Sequence, residues 1–202
     1  MDFDVLIVGG GAAGLSCALV LGSAKDKSYA HNKKVGIVIH QKASHLSSAV
    51  INNALGITPG TQGAEILKQG PLHLEKLYPQ VIQVQKEKVL EITPLPDSFT
   101  IKTNKNSYST KLVVVCVGYT HLLKIRGLEE YIIPHKKSPA AKNRIQLINE
   151  DHLVAPGLFV AGTLAYHRSQ YAIACGSGAA VATDVLTLWN NGEHTKVHDK
   201  LE

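Results

Sequence analysis

The sequence contains few cysteines, few aromatic residues and no long uninterrupted hydrophobic run. Its three cysteines lie far apart, and no two of them form a C-x-x-C pair: Cys17, Cys116 and Cys175. A reduced, cytoplasmic protein without a disulfide scaffold is therefore expected. No apolar run approaches the ~20 residues that a membrane-spanning helix needs. The N-terminal segment MDFD lacks the basic and apolar regions of a signal peptide, so we predict no membrane partner.

Charge of one sign is not concentrated anywhere along the chain. The formal net charge is +5 with ten histidines, but the lysines are scattered rather than grouped. This pattern favours a solvated basic surface over a nucleic-acid interface, and we predict no nucleic-acid partner. With 202 residues, 45% of them hydrophobic and 18% charged, the chain is long enough for one well-buried globular domain and short for two. We assign no metal site.

The most informative stretch of the sequence is DVLIVGGGAAG, near the N-terminus. Residues 5–8 are an apolar run typical of a strand buried on both faces. Three glycines then stand in G-x-G-x-x-G register: Gly9, Gly11 and Gly14. They permit a tight turn, close approach of a pyrophosphate to the backbone, and close packing of the next helix. That helix is predicted over residues 12–21, so Ala12 and Ala13 would offer backbone N–H groups to an anion.

A second strand, Val35–Ile39, completes a βαβ unit. The residue after such a strand normally holds a ribose hydroxyl with a carboxylate, but here it is His40, followed by Gln41 and Lys42. A neutral imidazole can still accept a hydrogen bond. With a lysine nearby, it could instead favour a 2′-phosphate, and so NADP over NAD or FAD. An exposed loop histidine with no ligand role is the alternative.

The segment 49–69 contains several glycines and a proline, which predicts an irregular loop. Thr61 could cap a helix that starts near Gly63 and continues toward Tyr78. Pro71 lies inside that helix, and we expect it to kink or break it.

The remaining chain alternates short strands with polar turns. Three β-like pieces predict a small antiparallel meander: 81–92, 98–103 and 107–111. Two buried strands each run up to a glycine: 112–117 before Gly118, and 158–161 before Gly162. A further strand is possible at 144–149. A long apolar helix is predicted over 170–189, where Gly176 and Gly178 leave room for close approach of backbone or ligand.

These elements, in this order, resemble the FAD-binding domain of thioredoxin reductases and related pyridine-nucleotide disulfide oxidoreductases. The glycine turn matches, and the family's Glu-Asn-x-Pro-Gly loop is echoed by NNALG, with Asn53 and Gly56 retained. The family's Ala-Thr-Gly appears as CVG, ending at Gly118, and its closing P-G-x-F-A-A-G-D as PGLFVAGT, ending at Thr163. Arg168-Ser169-Gln170 then opens the last helix.

The resemblance implies an α/β fold: a Rossmann-like, three-layer FAD-binding domain with a parallel sheet and a small antiparallel β-meander. We expect one FAD-type dinucleotide-binding domain over 1–202, with halves 1–118 and 158–202. By the resemblance, the cofactor would contact these residues: Gly9, Gly11, Ala12, Ala13, Gly14, His40, Gln41, Asn53, Val89, Gly118, Gly162, Thr163, Gln170 and Tyr171.

The chain departs from the family in what lies between the two halves. The family places an NADPH-binding domain there, with its own glycine motif and the redox C-x-x-C. Here the connection is only the segment 119–157, into which a second Rossmann unit does not fit. The sequence therefore looks like a thioredoxin reductase-like protein reduced to its flavin domain, and it is not a complete thioredoxin reductase.

Two substitutions bear on cofactor retention, because the family's Glu and Asp at the cofactor correspond to His40 and Thr163. Neither residue makes the charge-assisted hydrogen bonds of a carboxylate, so we expect weaker FAD retention. Candidate catalytic groups are few. Cys175 in the first turns of the last helix could react with a flavin, or be a packing residue. His167, with Arg168, is a candidate for an acid–base or anion contact.

Two hypotheses follow for function. The first is an FAD-dependent oxidoreductase that receives electrons from a free reductant or a redox partner protein. The second is a non-catalytic nucleotide-binding or redox-partner module with a degenerate FAD site. FAD is the expected cofactor, with NADP or NAD as the alternative, and a homodimer is left open.

Overall fold

The computed structural model describes residues 1–40, 44–120 and 123–198. The helices are α1 (Ala12–Ser23), α2 (Gly63–Leu77) and α3 (Tyr171–Trp189). The strands are β1 (Phe3–Val8), β2 (Val35–Ile39), β3 (Val50–Ile51), β4 (Thr61–Gln62), β5 (Ile82–Gln85), β6 (Val89–Leu95), β7 (Ser98–Thr103), β8 (Ser107–Val115), β9 (Ile132–Pro134), β10 (Ile145–Leu147), β11 (Leu153–Ala155) and β12 (Leu158–Val160). Short 3-10 turns lie at His45–Ser48, Glu129–Tyr131, Ala140–Lys142 and Gly162–Ala165.

A mostly parallel sheet forms the centre of the fold, with strands in the order β11-β12-β8-β1-β2-β5. β1 pairs in parallel with β2 and with β8, and β12 and β5 extend the parallel set on either side. Val5, Leu6 and Ile7 of β1 are fully buried. A central strand buried on both faces is what the short apolar run predicted.

Two hydrophobic clusters cover the two faces of this sheet. On one face, α1 and α3 pack together with Leu74 of α2. On the other face, the β6–β7 hairpin meets residues of the connection such as Leu128 and Leu147. Helices, parallel sheet and antiparallel layer therefore make three layers, and the predicted Rossmann-like fold class is confirmed.

The strand boundaries differ from the prediction in two places. The pieces 107–111 and 112–117 are one strand, β8, whose first half pairs antiparallel with β7 and whose second half pairs in parallel with β1. The start of the piece 81–92 is not part of the meander, because β5 pairs in parallel with β2. Local composition does not show which neighbour a strand pairs with, so these differences appear only in the folded chain.

The irregular segment before α2 contains a two-residue hairpin of β3 and β4, in which Thr61 pairs with Ile51. Gln62, not Thr61, is therefore the residue that precedes the helix. Pro71 does not break the helix, since α2 continues to Leu77. A kink at Pro71, the alternative, stays a prediction. Leu67 and Leu74, on either side of the proline, are both buried, and Leu74 packs in the core cluster with α1 and α3.

The connection between the two halves contains small β elements. β9 and β10 form an antiparallel pair, and β10 lies within the predicted strand 144–149. β11, which the sequence did not predict, forms an antiparallel edge beside β12. The connection thus covers one face of the sheet and lies close to the end of β12.

Helix α3 is long and apolar enough to meet a compositional criterion for a membrane span. One side of it, which includes Gly178, Val181 and Val185, is buried against α1. A Cβ at Gly178 would lie 1.9 Å from the carbonyl oxygen of Ala13, whereas Gly176 faces open space. The close approach that glycine permits at residue 178 is therefore between two helices, as in a core helix.

Candidate functional site

A cleft of about 470 Å³ opens at the carboxyl ends of the parallel strands β1, β2, β8 and β12. Ligands of open α/β sheets bind at this edge. The walls come from five segments of the chain: Gly9, Gly10, Gly11, Ala12 and Ala13; His40, Ser44, His45 and Leu46; Ala49, Val50, Ile51 and Asn53; Cys116, Val117, Gly118 and Tyr119; and Ala161, Gly162, Thr163, Ser169, Gln170, Tyr171 and Ala174.

The glycine turn has the shape of a phosphate cradle. Gly9 has a φ of +120°, and a Cβ there would lie 2.6 Å from the carbonyl oxygen of Cys116. A Cβ at Gly14 would lie 1.8 Å from the carbonyl oxygen of Gly9, so this glycine permits α1 to pack closely on the turn. A Cβ at Gly11 would meet nothing within 4 Å, because Gly11 borders the cleft. The residues present therefore fit a dinucleotide pyrophosphate beside Gly11.

Two helices present their N-terminal ends to the cleft. The residue preceding α1 is Gly11 and that preceding α3 is Gln170, and neither supplies a side-chain cap. No acidic residue lies in the first turn of either helix. The unpaired N–H groups and the positive dipole ends therefore favour an anionic ligand.

Most of the predicted cofactor-binding residues line this cleft: Gly9, Gly11, Ala12, Ala13, His40, Asn53, Gly118, Gly162, Thr163, Gln170 and Tyr171. Gly14 lies beneath the turn instead. Val89 is buried in the core on the other face of the sheet and does not line the cleft. Gln41 lies outside the described residues. The cofactor-binding roles of all these residues, including Val89 and Gln41, stay predictions.

The side chains that line the cleft carry no carboxylate in the part of the chain that the structure describes. Its polar side chains are hydroxyl, amide and imidazole groups, including His40, which is exposed at the end of β2. Thr163 lies on the wall, and its carbonyl oxygen is 3.1 Å from Nε2 of the buried His135. Within the described ranges, no group of three or more His, Cys, Asp or Glu side chains is arranged to hold a metal ion.

The three thiols differ in their surroundings. Burial raises the pKa of both Cys17 and Cys116 well above the ordinary value, which favours the less reactive protonated thiol, although Cys116 lines the cleft. Cys175 is partly exposed on α3 but does not line the cleft. Burial, and then a hydrogen bond with Cys175, raise the pKa of Tyr171 to about 12. The redox role of Cys175 stays a prediction.

Sequence reasoning missed Tyr119 as a wall residue, although it directly follows the CVG motif. Its ring lies edge-on to His45 and to His135, with centroids 5.9 and 5.3 Å apart. The guanidinium carbon of Arg144 lies 4.8 Å from the Tyr119 ring centroid. These partners are distant in sequence. The only local sign that Tyr119 lines the cleft was its position directly after a strand that ends in glycine.

His167, the other catalytic candidate, does not line the cleft. Its Nε2 atom lies 3.1 Å from Nε2 of His152. His152 also contacts Ser177, whose hydroxyl oxygen accepts a hydrogen bond from the backbone N–H of Gly162. The structure thus brings together three polar side chains behind the cleft wall, and sequence reasoning had singled out only one of them.

A second cavity, of about 390 Å³, lies between the β6–β7 turn and the segment 155–158. Its lining includes Leu95, Phe99 and Lys111 but no residue of the glycine turn. The larger cleft, at the strand ends, is therefore the candidate functional site.

The comparisons with known proteins agree with this geometry. The model of the pyridine nucleotide-disulphide oxidoreductase family matches residues 3–180. A thioredoxin reductase from Gloeobacter violaceus has a similar structure, with a TM-score of 0.74 at 15% identity over 100% of this chain and 98% of that one. An oxidoreductase from Agrobacterium tumefaciens gives 0.72 at 16% identity over 96% of this chain and 100% of that one.

A ferredoxin-flavin thioredoxin reductase from Clostridium acetobutylicum is also similar, with a TM-score of 0.67 at 17% identity over 94% of this chain and 98% of that one. At such identities these structures show a shared fold. No curated protein matches the chain.

Proposed function

Because the chain belongs to the pyridine nucleotide-disulphide oxidoreductase family, we propose that it is a flavoprotein whose cleft binds FAD and that it acts as an oxidoreductase. The observation that carries this proposal is the convergence of a glycine turn and two uncapped helix N-termini on one cleft at the carboxyl ends of parallel strands. That arrangement suits a long ligand with an anionic middle.

Each wall of the cleft has a distinct role in this proposal. The open side of Gly11 and the first N–H groups of α1 would hold the pyrophosphate. His40 at the end of β2 would face the adenosine ribose. Thr163 would contact the ribityl chain, and the start of α3 at Tyr171 would face the flavin ring. Bound FAD would supply the hydride- and electron-transfer chemistry.

The positive electrostatic potential at the N-terminal end of α3 suits a ring that gains negative charge on reduction. A flavin gains negative charge on its pyrimidine side when it is reduced, and unpaired backbone N–H groups at a helix N-terminus stabilise such charge. Helix α3 has 19 residues and no acidic residue in its first turn. We therefore assign this end of the cleft to the redox-active part of the cofactor.

The electrons would come from a free reductant or a partner protein. The sequence has no second G-x-G-x-x-G and no C-x-x-C, so the chain offers neither a separate glycine motif for a nicotinamide dinucleotide nor a vicinal dithiol. One structure with a similar fold is named for both ferredoxin and flavin, which supports a partner-protein route.

A nicotinamide dinucleotide is the second candidate ligand for the same cleft. It is favoured by the absence of a carboxylate among the described lining residues, because a carboxylate holds the free ribose hydroxyl in FAD and NAD sites. An imidazole at His40 is compatible with the 2′-phosphate of NADP. A protein that binds either cofactor without turnover would be a nucleotide-binding or redox-partner module.

Absorption spectroscopy and titration of the purified protein test these alternatives. FAD binding is expected to give a yellow protein with flavin bands and to quench flavin fluorescence. Rapid reduction of the bound flavin by NADPH or by reduced ferredoxin would identify an oxidoreductase. Tight binding of NADP that FAD does not displace would contradict the proposed cofactor, and bound flavin that neither donor reduces would identify the non-catalytic module.

A further inference from the structure

A small polar cluster lies directly behind the wall of the cleft. Nε2 of His152 is 3.1 Å from Nε2 of His167 and 3.0 Å from the hydroxyl oxygen of Ser177. The same Ser177 oxygen accepts a hydrogen bond of 2.8 Å from the backbone N–H of Gly162. Gly162 and its neighbour Thr163 line the cleft, so the cluster is connected to the cofactor site by a single hydrogen bond.

The two imidazoles face each other head-on. Their ring centroids are 5.3 Å apart although the Nε2 atoms are separated by only 3.1 Å, a difference close to the sum of the two ring radii. Two ligands of one metal ion would instead have their ring axes meeting at an angle. The geometry is therefore that of a hydrogen bond, in which one Nε2 atom carries a proton and the other accepts it.

Such a contact admits only one proton between the two nitrogens. Two neutral imidazoles form this hydrogen bond when one carries its proton on Nε2 and the other on Nδ1. One charged and one neutral imidazole form it when the neutral ring has its proton on Nδ1. When both are charged, two N–H groups face each other and the contact becomes repulsive. Histidine titration therefore acts directly on the hydrogen bonds of Ser177.

The surroundings of the pair keep the histidines neutral near neutral pH. Burial lowers the pKa of His152. The carboxylates of Asp184 on α3 and of Asp151, the preceding residue, raise it by a smaller amount. Burial, and then the charges of His152 and Lys137, lower the pKa of His167. The Tyr166 ring stacks on His167 with centroids 4.7 Å apart, and Lys137 lies over that tyrosine.

The backbone around the cluster is held in an uncommon conformation. His152 has a φ of +72° and Tyr166, next to His167, has a φ of +70°. Side-chain-bearing residues keep such angles only when the surrounding contacts determine them. Gly162 also has a positive φ, +76°, and a Cβ there would lie 3.1 Å from the Ala13 side chain. Gly162 and Tyr166 stand at the two ends of one 3-10 turn, and His152 contacts His167, the residue after that turn.

We propose that the His152–His167 pair, acting through Ser177, positions the Gly162 turn for cofactor binding and releases it when both imidazoles are protonated. His152, His167 and Ser177 are positioning residues, because the cleft-lining group is Gly162 and not their side chains. This inference rests on the proposed FAD site, since Thr163 lies on the same turn. The expected consequence is a cofactor affinity that falls in acid.

A first experiment tests the coupling without a cofactor. In ¹⁵N-labelled protein, the Gly162 amide resonance is expected to shift as the second imidazole of the pair is protonated. In the double variant His152→Gln/His167→Gln no imidazole of the pair remains, and the acid-range shift is expected to disappear. His73→Gln, at an exposed position on α2, is the matched control and should behave like the parent. A Gly162 resonance that stays fixed while both histidines titrate would overturn the proposal.

A second experiment measures FAD affinity between about pH 8 and about pH 5, the range in which histidine titrates. The parent protein is expected to lose about tenfold in affinity, a loss typical of one disturbed hydrogen-bonded contact. His167→Gln and His152→Gln, which retain hydrogen-bonding amides, are expected to lose less than about threefold if the pair is responsible. Equal losses in the parent and in both variants would contradict the proposal.

The two experiments separate this inference from the proposed function. If FAD binds at neither pH, the proposed cofactor is wrong, and the Gly162 shift alone then decides whether the pair controls the turn. If FAD binds with the expected pH dependence but the Gly162 resonance does not move, the dependence arises elsewhere and the inference fails.

Discussion

At the scale of single residues, the three motif glycines have different tasks. Gly9 and Gly14 permit contacts within the fold, since a Cβ at either would collide with a backbone carbonyl. Gly9 and Gly11 both line the cleft, but of the three only Gly11 could carry a Cβ with no atom within 4 Å. Its φ of −85° is accessible to any residue. A side chain at residue 11 would therefore affect the ligand and not the fold, which makes the motif testable residue by residue.

Replacement of Gly11 by valine is expected to abolish dinucleotide binding while the protein stays folded. The branched side chain would occupy the space beside the turn that the pyrophosphate needs. Circular dichroism and a urea titration would show the fold, and flavin fluorescence would show the binding. Gly14→Ala is the contrasting variant, because its Cβ would lie 1.8 Å from the Gly9 carbonyl oxygen and should destabilise the protein. A folded Gly11→Val protein with parental FAD affinity would contradict this assignment of the motif.

His40 is the second residue whose role can be isolated. It is exposed at the end of β2 and lines the cleft. His40→Glu is expected to strengthen FAD binding by about 1–3 kcal/mol, since a carboxylate forms charge-assisted hydrogen bonds with ribose hydroxyls. Isothermal titration calorimetry gives the affinity, and His40→Gln controls for loss of the imidazole. Weaker FAD binding together with a loss of NADP binding would instead favour the phosphate-binding role of His40.

At the scale of elements, the packing of α1 against α3 sets the distance between the two helix N-termini at the cleft. Gly178 allows this packing, because its Cα lies against the backbone of Ala13. Gly176, two residues earlier on the same helix, faces open space. The two glycines therefore form a matched pair within one helix.

Gly178→Ala is expected to reduce the free energy of unfolding by about 1–3 kcal/mol, because the added methyl group must push α1 and α3 apart. Gly176→Ala is expected to raise it by about 0.5–1 kcal/mol, because alanine loses less backbone entropy than glycine in a helix. Urea denaturation of both variants gives the two values. The same sign of change in both would show that the distance between these helices does not depend on Gly178.

At the scale of the whole molecule, the histidine pair predicts how stability depends on pH. Burial lowers the pKa of both His152 and His167 below the ordinary value of 6.5. Between the lowered pKa and 6.5, the unfolded chain binds more protons than the folded chain, so the free energy of unfolding rises with pH through this range. The stabilisation that comes from keeping these two histidines neutral is fully present above pH 6.5 and is lost as the pH falls through their lowered pKa values.

Urea midpoints measured at about pH 5 and about pH 7.5, on either side of the histidine range, are expected to be lower in acid. In the double variant His152→Gln/His167→Gln this difference should shrink. Asp184, whose pKa burial raises and the charge of His152 lowers, loses this neighbouring imidazole in the double variant. The single variant His167→Gln, which keeps His152 beside Asp184, is therefore measured as well. An equal pH difference in the parent and the double variant would mean that other groups are responsible.

The whole chain is also expected not to reduce thioredoxin with NADPH by the mechanism of the thioredoxin reductases. That mechanism needs a nicotinamide site and a dithiol, and the three cysteines of this chain form no C-x-x-C. Cys17 and Cys116 are buried and Cys175 is on α3. A coupled assay with NADPH and thioredoxin is therefore expected to show no turnover above background.

Variants in which the cysteines are replaced by serine serve as controls for this assay. Activity that persists after all three cysteines are replaced by serine would reveal an electron route that none of these thiols carries. Activity that Cys175→Ser alone removes would instead assign Cys175 to catalysis, and its hydrogen bond with Tyr171 would then lie in the electron path.

The sequence by itself determined the parts of this protein that depend on local order along the chain. The run from β1 through the glycine turn to α1 was predictable because a buried strand, a positive φ and a helix start each leave a signal within a few residues. The glycine-ended strands near Gly118 and Gly162 were found in the same way. Together these motifs identified the family, and most of the cofactor-binding residues predicted from them line the cleft.

Only the tertiary structure decided which elements pair and which side chains meet. The continuity of β8 and the parallel pairing of β5 depend on neighbours far away in sequence, and strand composition does not specify them. The contact of His152 with His167 and Ser177 joins a hairpin turn, a loop and a helix. No local pattern places these three side chains together, because their proximity results from the packing of α3 and β11 around the end of β12.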